Sequence, residues 1–261
     1  MRGRAKGFMT DARRRRGCGR AAACLGLFLC LSWGRTGEGQ AVIQGLAVSP
    51  VTIEMQAGQR TAVLTVQNHS DADAAFQVRP FAWDQAQGSD TLQPTDDVLV
   101  SPPLGRLPVG ASQVVRLVLR RPADGREASY RVWLDQIPPP ASPGKVAFSL
   151  RLSIPVFVEP AGRIAARVRW SVEQRGAELV LAAVNEGTRR QVVRQVVLNA
   201  PDGARFGLEA NVSPYILAGA TRRWRILSEG PPPSPGETLR LTARADTGDV
   251  DQGVPVVRAG P

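Results

Sequence analysis

The segment Lys145–Val158, KVAFSLRLSIPVFV, places an apolar side chain at every second residue: Val146, Phe148, Leu150, Leu152, Ile154, Val156 and Val158. Between them stand Ala147, Ser149, Arg151, Ser153, Pro155 and Phe157, mostly small or polar. A period of two over such a run predicts a β-strand. At about 3.3 Å per residue the segment reaches roughly 45 Å, over twice a typical strand of five or six residues. Pro155 cannot donate to a ladder, so the strand carries edge-strand chemistry in its middle. Either the apolar series faces only its own domain, which leaves the length and the proline unexplained, or part of it serves another chain.

The first 41 residues read as a secretory signal peptide. Arg13 to Arg16 form a basic run, Ala21 to Trp33 a short apolar block, and Gly39 and Ala41 a small-residue cleavage site. The apolar block falls short of the ~20 residues that span a bilayer. Setting this segment aside changes the composition. It holds nine of the 33 Lys/Arg and two of the 23 Asp/Glu, so residues 42–261 carry 24 and 21, a net charge of +3. The high overall basicity therefore belongs largely to the leader and is poor evidence for nucleic-acid binding. Cys18, Cys24 and Cys30 all lie in the leader as well. The exported part then has no disulfide framework and relies on packed cores.

The remaining ~220 residues suffice for two domains of about 100 each. Turn residues recur at intervals suited to a β-sandwich, and no stretch shows a capped helical stripe. About seven strands are expected between Gln44 and Val158. Glu159–Gly162 reads as a hinge, and about seven further short strands are expected after it, with no obvious sequence repeat between the halves. Leu179, Leu181 and Ala183 alternate with Val180, Ala182 and Val184, so that strand is apolar on both faces. The predicted organisation is a signal peptide over 1–41, an immunoglobulin-like domain over 42–158 and a second β-sandwich over 163–261, an all-β fold.

Catalytic constellations are not apparent. The one histidine, His69, lies in the turn QNHSDAD, and a nucleophile–histidine–carboxylate triad would need it. Asp71, Asp73, Asp96 and Asp97 sit in turns without the spaced oxygen pattern of a calcium loop. No glycine-rich phosphate loop is present, and aromatics make up only 5% of the chain, too few for a base-stacking platform. No enzyme activity, cofactor or metal is expected. Binding through sheet surfaces or edges is.

Several motifs occur in order: AVSPVTIEMQAG at Ala47–Gly58, Pro102-Pro103, Arg106-Leu107, Gly110, Arg116, Ile137-Pro138-Pro139, and then the long alternating strand. Together they resemble the PapD-like periplasmic pilus chaperones, and LRLSIPVFVEP is similar to the Csu-type (archaic) branch. The resemblance covers most of residues 42–160 and is weak beyond. It implies that the chain stabilises pilus or fimbrial subunits in the periplasm. It does so by donor-strand complementation, lending the alternating strand to an incomplete subunit, and it passes the subunit to an outer-membrane usher. Val146, Phe148, Leu150, Leu152 and Ile154 are then the donor side chains. The family's two basic cleft positions fall at Thr52 or Ile53 and at Pro155, none of them basic. Arg116, Arg131 and Arg151 become the candidates to hold a subunit carboxylate, against the plainer reading of each as a structural arginine. Gln136 and Glu159 occupy the positions of the family's inter-domain salt bridge, so the resemblance implies that this bridge is absent.

The expected partners are fimbrial subunits and an usher, with no nucleic acid and no membrane insertion. An unpaired apolar edge is an association hazard, so self-association through the donor edge is expected of the free protein. The alternative is a secreted structural or pilus-subunit-like β-sandwich adhesion protein.

Overall fold

A computed structural model describes residues 41–43, 45–138, 150–176, 178–209, 213–227 and 232–258. Residues 1–40 of the proposed signal peptide and the donor residues Val146 and Phe148 lie outside the described residues. All described regular structure is β, as the period-two patterns predict.

Eleven described strands precede the hinge: β1 (Ala41–Ile43), β2 (Leu46–Ser49), β3 (Ile53–Met55), β4 (Thr61–Asn68), β5 (Ala74–Asp84), β6 (Thr91–Pro94), β7 (Val98–Ser101), β8 (Leu104–Leu107), β9 (Ser112–Leu119), β10 (Ala128–Ile137) and β11 (Arg151–Val158). The expected seven become eleven partly because segments read as continuous are broken at prolines. Pro50 separates β2 from β3, and Pro102-Pro103 separates β7 from β8, where missing N–H donors interrupt the ladder. One sheet has the order β1-β2-β4-β9-β7. The other has the order β3-β11-β10-β5-β6, with β8 also on β5. Alternate residues of both sheets meet in a core that includes Leu46, Leu64, Phe76, Leu117, Val132 and Val156.

After the hinge come β12 (Val168–Arg175), β13 (Glu178–Asn185), β14 (Gln191–Asn199), β15 (Arg205–Leu208), β16 (Tyr215–Ile216), β17 (Thr221–Leu227), β18 (Thr238–Ala245) and β19 (Gly248–Arg258). Their sheet runs β15-β17-β13-β12-β19-β18-β14-β16, and β15 also pairs with β14, so the sheet closes around a second core. β13 is buried on both faces, as its sequence predicts: Leu181 and Ala183 enter the core, while Val180 and Ala182 lie opposite Arg225 and Arg223 of β17.

The halves share a local device. Asn68 ends β4 and Asn185 ends β13, both buried. Each Oδ1 accepts the N–H two residues on, from Ser70 or Gly187, at 3.0 Å. Each Nδ2 donates to the carbonyl four residues on, of Ala72 or Arg189, at 2.8 Å, and to a distant carbonyl, of Leu107 or Ile216. Each asparagine N–H donates to an alanine carbonyl, of Ala111 or Ala220. Those alanines follow Gly110 and Gly219, whose φ angles of 72° and 69° suit glycine. The stretches LPVGAS and ILAGAT are thus structural counterparts, a repeat too short to register as sequence similarity.

Candidate functional site

β11 lies between β10 and β3, but the two neighbours cover it unequally. With β10 it is antiparallel along its whole length, from Arg151↔Asp135 to Val158↔Ala128. With β3 it is parallel and paired only over Val156–Val158. The Gln136 N–H donates to the Leu150 carbonyl at 3.0 Å, so backbone groups of even-numbered residues point at β10. Those of odd-numbered residues point the other way. Glu159 follows the same parity, since its N–H donates to the Met55 carbonyl of β3 at 2.9 Å. Arg151, Ser153 and Pro155 therefore turn their backbone groups to a side where no described strand pairs with them. This is an open edge of the kind that pairs with a strand from another chain.

Side chains sort along the same strand. Ile154, Val156 and Val158 are buried in the first core, and Leu152 packs partly against it. Leu150 is 41% exposed and continues the same inward-facing series past the end of the sandwich. Of the expected donor residues, Ile154 (2% exposed) is thus already used by its own domain, because the core of the first sandwich extends that far along β11. The free part of the series begins at Leu150 and Leu152.

The opposite face of β10, β11 and β5 carries arginines and aromatics. Asp135 accepts from Arg79 Nη2 at 2.7 Å and Arg151 Nε at 2.5 Å. Burial would raise its carboxyl, but hydrogen bonds from Arg151 and Arg79 outweigh that and hold it below the usual aspartate range. The Arg151 guanidinium also lies 3.8 Å from the Trp133 ring centre, and Trp133 meets Phe81 at 4.2 Å. Arg151 is therefore committed to fastening β11 onto β10. Arg116 lies on β9 in the other sheet, opposite Val63 and Ser101.

Arg131 is different. Its guanidinium stacks 3.7 Å from the Trp83 ring centre and 5.5 Å from that of Tyr215, and Nη1 donates to the Ser153 carbonyl at 3.3 Å. Burial pulls its pKa below the usual arginine value, and the charges of Asp90 and Tyr215 offset this only in part. Among the described residues no carboxylate pairs with it within 4.0 Å. A half-buried cation on two aromatic faces, at the open edge of β11, is a ready receptor for an anionic group. Of the three candidate arginines, only Arg131 combines proximity to the edge with an unpaired charge.

The two sandwiches meet beside this edge. Trp83 and Phe157 from the first pack with Tyr215 and Leu217 from the second. Buried Gln85 donates to the Tyr215 carbonyl at 2.9 Å and accepts from the Leu217 N–H at 3.0 Å. The implied absence of an inter-domain salt bridge is corrected here. Arg190 of β14's N-terminal approach pairs with Glu127 at 2.5 Å and also with Glu54, and stacks 3.6 Å from the Phe157 ring centre. Burial pushes the Glu127 carboxyl up, and Arg190 pulls it back part of the way. The bridge exists, but it uses residues other than Gln136 and Glu159, and its cation comes from the second sandwich.

Residues 45–163 match the family model described as the pili and flagellar-assembly chaperone PapD N-terminal domain. The probable fimbrial chaperone EcpB of Klebsiella pneumoniae subsp. pneumoniae is 31% identical over 97 residues, 36% of this chain and 44% of that protein. EcpB of Escherichia coli O1:K1 / APEC is 33% identical over 98 residues, with the same shares. The match thus spans less than half the length of these curated relatives. Among solved structures, a chain of the CsuC–CsuE chaperone–tip adhesion subunit pre-assembly complex from archaic Csu pili of Acinetobacter baumannii superposes with a TM-score of 0.61. Its identity is 20%, over 82% of this chain and 99% of that one. A chain of the Salmonella enterica SafA pilin–SafB chaperone complex gives 0.54 at 19% identity, over 83% and 98%. The periplasmic chaperone SfaE gives 0.52 at 18%, over 82% and 100%. At these identities the structures speak for the fold, which is the two-sandwich fold of these chaperones. Residues 45–163 are thus similar to the N-terminal domain of the PapD-like chaperones, and the described chain shares the two-sandwich fold of these structures.

Proposed function

We propose that this chain is a periplasmic, non-enzymatic chaperone that holds pilus or fimbrial subunits by donating the open edge of β11, and delivers them to an outer-membrane usher. The observation that carries this reading is the half-covered strand. Its odd-numbered backbone groups are paired with β3 from Phe157 onward and, among the described residues, unpaired before it, and an arginine without a carboxylate partner among those residues marks the boundary. Val146, Phe148, Leu150 and Leu152 supply the donated side chains. Each contributes on the order of 1.5–3 kcal/mol when fully buried in a subunit groove. The reading carries with it a cleaved leader over 1–41, an N-terminal chaperone domain over 42–158 and a second sandwich over 163–261. The form of the β11 segment and the likeness to the Csu complex favour the archaic branch.

Co-expression of the full chain with small exported β-proteins encoded beside it tests the proposal. The wild type is expected to co-purify with one of them, and Phe148→Arg plus Leu150→Arg to lose it while unfolding at an unchanged temperature. Retention of the subunit by the folded double variant overturns strand donation.

A further inference from the structure

The free half of β11 stays in its sheet with little help from its inward side chains. Ile154, Val156 and Val158 are buried in the first core, but Leu150 is 41% exposed and Leu152 is only partly covered. Before Val156 the outer edge of the strand is unpaired among the described residues. What remains is the ladder to β10, which runs out to Arg151↔Asp135 and the hydrogen bond from Gln136 to Leu150. A strand end paired on one side, with neither leucine fully buried, frays unless something else holds it.

The outward face supplies the hold. Arg151 Nε donates to one oxygen of Asp135, and Arg79 Nε and Nη2 donate to the other. The Arg151 guanidinium lies 3.8 Å from the Trp133 ring centre, Arg79 approaches the same ring at 5.5 Å, and Trp133 rests on Phe81. β5, β10 and β11 are thus tied together across the back of the sheet, at the level where the inward leucines are uncovered. An exposed ion pair alone contributes little. Here one carboxylate, 15% exposed, is shared by two guanidinium groups that also lie against an aromatic ring.

We infer that Arg79, Asp135, Arg151 and Trp133 form a back-face clamp that holds the free half of β11 in the ladder, so that Leu150 and Leu152 stay uncommitted yet in place for a partner. Arg151 is a positioning residue, since its side chain touches its own sheet rather than the added strand. Alternate side chains of a strand point to opposite faces. A side chain that must enter a partner's groove cannot also anchor the strand at home, so the anchor sits one residue away on the other face. With the clamp released, an added strand pairs only with the fraction of molecules whose β11 end is attached, and its apparent affinity falls by that fraction. This inference rests on strand donation as the function of the site.

The test uses the full exported chain and an alternating Val-Thr octapeptide, blocked at both ends, as the added strand. Backbone hydrogen exchange is read by NMR with and without peptide. In the wild type the peptide should protect the N–H groups of Arg151 and Ser153. Arg151→Met should speed exchange at Leu152 about tenfold, leave Ile154 within about twofold, and weaken the peptide about threefold. Trp133→Leu should do the same. Arg151→Lys keeps a cation for the ring and for Asp135 and should recover most of both losses. Unchanged exchange at Leu152 in Arg151→Met, equal acceleration at Leu152 and Ile154, or unchanged peptide affinity overturns the clamp and leaves strand donation standing. If the peptide protects neither Arg151 nor Ser153 in the wild type, strand donation fails and the clamp's role with it. Arg151→Met decides the matter alone if Trp133→Leu does not fold.

Discussion

Three arginines near or opposite the donor edge look alike in sequence, and their surroundings give them different work. Arg151 shares Asp135 with Arg79, whereas Arg131 has aromatic faces and a backbone carbonyl but no anion among the described residues. Asp135→Asn removes the shared acceptor and is expected to cost about 1 kcal/mol at neutral pH, since both guanidinium partners are partly exposed. Because its folded pKa is depressed, this contribution is present above the unfolded aspartate pKa of about 3.9 and is lost as pH falls through the folded value. Urea unfolding of both proteins at pH 7 and in acid should show the difference vanish. Asn68 and Asn185 are more costly to lose. Asn68→Ala orphans the buried Leu107 carbonyl and a part-buried N–H of Ser70, with an expected loss of about 2–3 kcal/mol by urea unfolding.

At the scale of the element, β11 has a rhythm that hydrogen exchange can read directly. The amides of Leu152 and Ile154 face β10 and should be protected in the free protein, whereas those of Arg151 and Ser153 should exchange orders of magnitude faster despite lying in the same strand. Uniform protection along β11 would mean that something already covers the edge. A second copy of the chain is the expected cover at high concentration. Sizing across concentrations should then show a dimer, and dimerisation should slow exchange at Arg151 and Ser153 together. The alternation of this strand was legible in the sequence. The point where its inward face passes from the chain's own core to solvent was not, because Leu150, Leu152 and Ile154 are equivalent in pattern and differ only in how far the opposing sheet reaches.

Across the whole molecule, the junction places Tyr215 over Arg131 and closes the cleft with Arg190. Glu127 is fully buried and Arg190 nearly so, at 0% and 6% side-chain exposure. Arg190→Met leaves Glu127 buried without its cation, and a loss of about 3–5 kcal/mol is expected. The penalty should be largest at neutral pH and shrink in acid, where the stranded carboxyl takes up a proton. Adding Glu127→Gln should recover part of the loss, and both effects are measurable by thermal unfolding across pH. Because Phe157, Tyr215 and Arg190 share this junction, Arg190→Met should also weaken any preference of the edge for a free carboxylate by displacing Tyr215 from Arg131.

By itself the sequence determined the class and the rhythm of the fold. Period-two patterns specify strands and their inner faces locally, turn residues punctuate them, and the ordered prolines, glycines and arginines of residues 47–158 point to the chaperone resemblance. The tertiary structure alone decided which candidate arginine beside the edge has no carboxylate partner among the described residues, where the edge opens and how the sandwiches are bridged. Glu127 and Arg190 lie 63 residues apart in different domains, so no local spacing announces them, and the family's own bridge positions pointed elsewhere. Ion pairing and edge exposure depend on what the rest of the chain brings alongside a residue, whereas strand rhythm depends only on its neighbours in sequence.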